Sequence, residues 1–198
     1  MPENKKPSLT LALIDPGDTG ERDKAQSRRG ARSIAECVLG PDMDEDGGVH
    51  PWETSSYYVT LAGPLSGTDS DALKKAAADA DGALLVVPAA IGDFEQALST
   101  RSGYAQVSLQ ALFDGGVRQL VVACDGMHYT GPPYSAFRFD EIRKEVESAV
   151  KKAGFALGSG VHVLPVDARG DNVFERSSNM PWYKGSTLDE TVEMLKPR

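Results

Sequence analysis

The chain has 198 residues and a mass of 21.2 kDa, the size of one ordinary domain, which excludes a disulfide-stapled mini-protein and gives no reason to expect several domains. Its 40% hydrophobic and 25% charged residues match globular averages, not those of disordered chains, collagens or coiled-coil rods. A formal charge of −8 opposes general binding to phosphate backbones, so nucleic acid is not an expected partner.

In chain order, the stretch Met1 to Pro7 is polar and lacks an apolar signal core, which reads as a cytoplasmic chain. No apolar run approaches the roughly 20 residues that span a bilayer, so no membrane contact is expected. Leu9 to Ile14 is the first β-branched-rich apolar run, followed by Tyr57 to Leu61, Ala83 to Val87, Val117 to Ala123 and Val161 to Val166, with helical patterns between them. Leu84-Leu85-Val86-Val87 and Leu120-Val121-Val122 are apolar without alternation, as strands covered by helices on both faces must be. The expected fold class is therefore α/β, with a doubly wound, mostly parallel sheet.

Between Asp15 and Ser33 there is no large apolar residue, so this segment buries little and only Ile34, Val38 and Leu39 can dock it. Arg22, Lys24, Arg28, Arg29 and Arg32 cluster there, but Glu21 and Asp23 interrupt them, which reads as a solvated face. Pro41 to Gly48 reads as an acidic surface loop. Ser135 to Ala153 is the clearest helix: Phe139, Ile142, Val146 and Val150 form one stripe, and Gly154 stands at C′. A last helix is expected to open at Ser186, with Asp189 completing a capping box and Leu188, Val192 and Leu195 facing inward. Cys37 and Cys124 have no CxxC partner and read as buried thiols, and His50, His128 and His162 have no metal-ligand spacing, so no metal is expected.

Two motifs could carry chemistry. Asp15 to Arg22 follows the first strand, where a phosphate-binding GxxxxGK[ST] loop would sit, but only Gly20 matches. Asp15 replaces the first glycine, Glu21 the lysine and Arg22 the hydroxyl. A unit charge at about 4 Å is worth roughly 4 kcal/mol at an effective dielectric near 20, so an anion in place of the cation opposes a triphosphate strongly. A Ser/His/Asp grouping of Ser66, His128 and Asp125 can be drawn from loops expected at the C-terminal ends of adjacent strands, although no GxSxG elbow accompanies it.

The block Gly170 to Gly185 (GDNVFERSSNMPWYKG) closely resembles the end of the GTP-binding domain of eukaryotic and archaeal translation elongation factor 1-alpha. Lys5 to Ile14, Tyr57 to Thr60, Ala80 to Glu95, Gly116 to Val122 and Gly131 to Gly154 agree with that family in the same order. The resemblance implies a P-loop GTPase-like three-layer sandwich, with residues 1–198 forming one G domain and the family's two β-barrel domains absent. It also implies that each nucleotide motif has changed. The family's magnesium-binding switch threonine has no equivalent beside the short Pro41 to Gly48 segment. DAPGH, which holds the magnesium shell and positions the attacking water, corresponds to Ala62-Gly63-Pro64-Leu65-Ser66. NKMD, which reads guanine, corresponds to Asp125-Gly126-Met127-His128, and the last motif has Asp167 and Ala168 after Pro165-Val166.

By this resemblance the chain is expected to be a degenerate, non-catalytic G domain with no cofactor, acting as a protein-binding or structural subunit of a larger assembly. The alternative is a GTP-binding elongation factor-like protein with an unconventional pocket, taking GTP or GDP with magnesium weakly. Met180, Trp182 and Tyr183 read as a satellite core or as interface anchors. Actin, the guanine-exchange factor and aminoacyl-tRNA are partners the family implies, the last weakened by the missing barrels.

Overall fold

The computed structural model describes residues 6–15, 30–39, 52–66, 69–98, 104–158 and 160–198. The first apolar run becomes strand β1 (Ser8–Asp15), and helix α1 (Ala31–Leu39) follows, burying Ala31, Ile34, Ala35 and Val38. The remaining elements are β2 (Trp52–Glu53), β3 (Tyr58–Ser66), α2 (Ser70–Asp79), β4 (Gly82–Pro88), α3 (Asp93–Leu98), α4 (Tyr104–Asp114), β5 (Leu120–Asp125), α5 (Ala136–Lys152), β6 (Val161–Pro165) and α6 (Leu188–Glu193). The strands lie in the order β2-β3-β1-β4-β5-β6, parallel throughout except for β2, which runs antiparallel to β3.

This is the mostly parallel three-layer α/β sandwich that the apolar runs require. Along β4 the side chains alternate between two cores. Leu85 and Val87 join Leu73, Leu112, Phe139, Ile142 and Val146 on the α2, α4 and α5 side, while Leu84 and Val86 join Ile34, Val38, Leu188 and Val192 on the α1 and α6 side. No helix among the described residues is long and apolar enough to cross a membrane.

Helix α5 is built as its sequence dictates. The Ser135 hydroxyl accepts from Arg138 N–H at 3.2 Å, and the stripe from Phe139 to Val150 is buried. At the far end Gly154 has φ +102°, and a Cβ there would stand 2.8 Å from the Phe113 ring, so both the turn and the packing need glycine.

Four details differ from the sequence expectation. The strand expected from Val117 starts at Leu120, because Val117 N–H turns back to Leu112 O and ends α4. The two-residue β2 is too short to show a period. Helix α6 is capped by Thr187, one residue later than expected: its hydroxyl accepts from Glu190 N–H at 3.2 Å and Glu190 accepts from Thr187 N–H at 3.0 Å. Asp189 instead turns sideways and accepts from Trp52 Nε1–H at 2.8 Å. Cys124 is buried as expected, but Cys37 is only half-buried.

Candidate functional site

In open parallel sheets, ligands sit outside the carboxyl ends of the strands. Asp15 and Ser66 end β1 and β3 in register with each other, and Asp125 ends β5 opposite Pro88 of β4. His128 follows β5 in a short 3-10 turn (Met127–Tyr129), and Asp167 follows β6. Four of the singled-out residues, Asp15, Asp125, His128 and Asp167, thus belong to this edge. Gly20, Glu21 and Arg22, and the Pro41 to Gly48 segment, lie outside the described residues.

At the entry to α1 stands Gly30, with φ +126°, and a Cβ there would lie 2.5 Å from Asp15 Oδ2. Ala31 N–H donates to the same carboxylate oxygen at 3.3 Å. The first turn of this helix, whose N–H groups would face phosphate in a P-loop, receives a carboxylate of its own chain. Read from Gly30, the next two positions are Ala31 and Arg32, so this frame also lacks the lysine and the hydroxyl.

On β3, Gly63 has φ +136°, and a Cβ would stand 2.5 Å from Leu13 O, at the point where the β1–β3 register shifts between Ala12 and Ile14. Gly63 thus serves the irregular pairing of two strands.

The end of β5 gathers charge. Asp125 is buried, and its Oδ1 accepts from Ala168 N–H at 2.8 Å. Burial pushes its carboxyl up to about 7; the Ala168 and Gly126 N–H groups oppose the rise, and the Asp167 and Asp15 charges add to it. His128 Nδ1 forms a close hydrogen bond with Asp167 Oδ2. Asp167 Oδ1 accepts from Arg169 at both its main-chain N–H and Nε, each at 3.1 Å. Burial would raise the Asp167 carboxyl, but the Arg169 and His128 hydrogen bonds outweigh it and hold it below the ordinary carboxylate range. Burial raises the Cys37 thiol on α1, helped by the charges of Asp125 and Asp167.

The Ser66, His128 and Asp125 grouping does not assemble. Strand order is not sequence order: β3 is separated from β5 by β1 and β4, about 14 Å across the sheet at the usual strand spacing, and His128 is engaged by Asp167. Among the described residues no three His, Cys, Asp or Glu side chains are grouped so as to hold a metal ion.

Beside this edge lies a clamp that sequence reasoning did not resolve. Asp171 accepts from Ser177 Oγ at 2.7 Å, from Asn179 Nδ2 at 3.1 Å and from Tyr134 OH at 3.2 Å. Tyr134 is held at φ 58°, unusual for an aromatic residue. Its N–H donates to Met127 O at 2.8 Å and its carbonyl accepts from Trp182 Nε1–H at 2.9 Å. Met180 is buried in the α5-side core, and Trp182 and Tyr183 pack on Phe139 with ring centroids 5.7 and 5.9 Å away. Burial pushes the Tyr183 hydroxyl up to about 12. The local signal for the clamp was the run of short polar residues after Gly170, whose partners lie far away in sequence.

No family model matches the chain. Among solved structures it is similar to Sup35 complexed with GDP, with a TM-score of 0.72 and 22% identity over 96% of this chain and 45% of that one. It is also similar to the S. cerevisiae Ski7 GTPase-like domain bound to GTP, with a TM-score of 0.60 and 16% identity over 95% of this chain and 50% of that one. A bacterial selenocysteine-specific elongation factor, EF-Sec, matches with a TM-score of 0.54 and 10% identity over 97% of this chain and 30% of that one. The chain therefore has the P-loop GTPase-like fold of such G domains, and it spans half or less of the length of these neighbours.

Proposed function

We propose that residues 1–198 form a non-catalytic, degenerate elongation factor-type G domain that works as a protein-binding or structural subunit in the cytoplasm. The observation that carries this reading is that the polar groups at the nucleotide edge are engaged with one another. Asp15 accepts from the first turn of α1, Asp125 accepts from Ala168 N–H, and Asp167 is held by His128 and Arg169. Where the guanine-reading motif needs a carboxylate to accept from the base, His128 faces Asp167. The Asp167 carboxylate, held ionised at this edge, also opposes an anionic polyphosphate. No residue is assigned to hydrolysis, and no magnesium ligand set is assigned.

A second reading, weak binding of GTP or GDP with magnesium in an unconventional pocket, is favoured by one observation: the Ski7 domain of similar fold is GTPase-like and is bound to GTP. Thermal unfolding with GTP, GDP and ATP, with and without magnesium, separates the two. A ligand at 100 times its Kd adds about 2.7 kcal/mol, several degrees for a chain of this size. No shift is expected; a clear rise with GTP or GDP gives the site to nucleotide.

A further inference from the structure

Beyond α6 the chain leaves its own layer. Lys196, Pro197 and Arg198 are exposed and pass around the amino-terminal ends of the strands, opposite the edge described above, to the α2 and α4 side. Gln119, just before β5, grips Lys196 by both of its main-chain groups: Oε1 accepts from Lys196 N–H at 2.9 Å and Nε2 donates to Lys196 O at 2.6 Å. The same Nε2 donates to Asp81 O at 3.2 Å. Asp81, just before β4, accepts from Arg198 N–H through Oδ1 at 2.8 Å and from Thr10 N–H of β1 through Oδ2 at 2.7 Å.

The Arg198 side chain completes the attachment. Its guanidinium donates to Gly116 O at 2.7 Å and to Ala78 O at 3.5 Å, carbonyls at the C-terminal ends of α4 and α2. A cation there meets the negative ends of two helix dipoles and supplies donors where a helix leaves its last carbonyls unpaired. The two helices are in close contact, since a Cβ at Gly115 would stand 2.5 Å from the Ala77 Cβ. The far end of the attachment is therefore firmly seated.

What it fastens is weaker. Helix α6 has six residues, too few to persist without packing. Its first turn is fixed by the Thr187 and Glu190 capping box and by the Asp189 bond to Trp52. At its other end Met194 and Leu195 N–H reach back to Thr191 O and Val192 O, and Leu195 is buried. Residues 196–198 bury nothing, so polar bonds alone hold them, and exposed bonds of this kind open readily.

We propose that residues 196–198 are a releasable strap: fastened, they hold the end of α6 on the sheet, and unfastened, they let α6 open as a unit while α2, α4 and α5 stay in place. Its bonds act together because all fasten the same three residues, so the loss of one loosens the rest. Neither nucleotide nor a partner is needed for this motion, which stands whichever reading of the function above holds.

The test is amide exchange of the full chain followed by NMR at several denaturant concentrations. Thr191, Met194 and Leu195 are expected to exchange faster than Val146 and Val150 of α5, with a shallower dependence on denaturant, the sign of an opening smaller than global unfolding. Gln119→Ala and Arg198→Ala each remove one fastening and are expected to speed exchange at Met194 and Leu195 about tenfold while that shallow dependence persists. Because both release the same strap, the double variant should add less than about threefold to the larger single effect. If a variant fails to fold, the denaturant dependence in the unsubstituted chain still decides. Exchange of α6 at the rate and denaturant dependence of α5, unchanged exchange at Met194 and Leu195 in a folded single variant, or effects that multiply in the double variant would each overturn the proposal.

Discussion

The edge around Asp125 and the clamp around Asp171 are neighbours on the loops after β5 and β6, yet they treat an aspartate in opposite ways. Asp171 collects three side-chain donors from two loops, and its position decides how residues 170–185 lie on α5. Asp125 is more deeply buried and has Ala168 N–H as a donor, with two further carboxylates near enough to oppose its ionisation. One aspartate organises structure, and the other is tolerated by it. The motif that most resembles the elongation factor family is thus a piece of architecture, and its retention says nothing about nucleotide.

The contrast can be broken experimentally, beginning with the clamp's apolar floor. Phe139 is 2% exposed and touches both Trp182 and Tyr183, so Phe139→Ala is expected to cost about 3–5 kcal/mol in denaturant unfolding. A loss below 1 kcal/mol would mean that the clamp does not depend on α5. Asp171→Ala leaves Tyr134, Ser177 and Asn179 without their acceptor, and a loss of about 2 kcal/mol is expected, with faster amide exchange through 171–183. At the edge the sign reverses. The folded Asp125 carboxyl, at about 7, sits above its ordinary 3.8, so the folded state keeps a proton that the unfolded state releases. Stability from this group is full below about pH 4 and is lost as pH rises toward 7. Asp125→Asn keeps an acceptor for Ala168 and should remove that fall, a gain of up to about 4 kcal/mol at pH 8 and little change at pH 4. Asp167, held low, acts oppositely: its contribution is present above the ordinary carboxylate range and disappears as acid reaches it. A stability curve for Asp125→Asn parallel to that of the unsubstituted chain would erase the distinction between the two regions.

Local features of the fold were legible in the sequence. The unbroken apolar runs of β4 and β5, the stripe on α5 and its terminal Gly154 depend on neighbours within a turn or a strand. The parts that stayed hidden depend on distant partners. Asp189 lies in a capping frame by spacing, but its carboxylate is drawn to Trp52, 137 residues away, and the cap passes to Thr187. His128 and Asp167 could each be singled out by resemblance, but a hydrogen bond across 39 positions has no sequence signature. Ser66 was grouped with the wrong strands because the order of a sheet cannot be read from the order of its chain.

The chain has two tryptophans, and the fold assigns one to each side of its sheet. Trp52 is 2% exposed in the α1 and α6 layer, against the edge of the Phe174 ring, while Trp182 lies partly buried on α5. Each half of the sandwich thus contains its own fluorophore. Replacing either one by phenylalanine leaves an emission signal that follows a single layer, so the two halves can be watched coming apart separately or together.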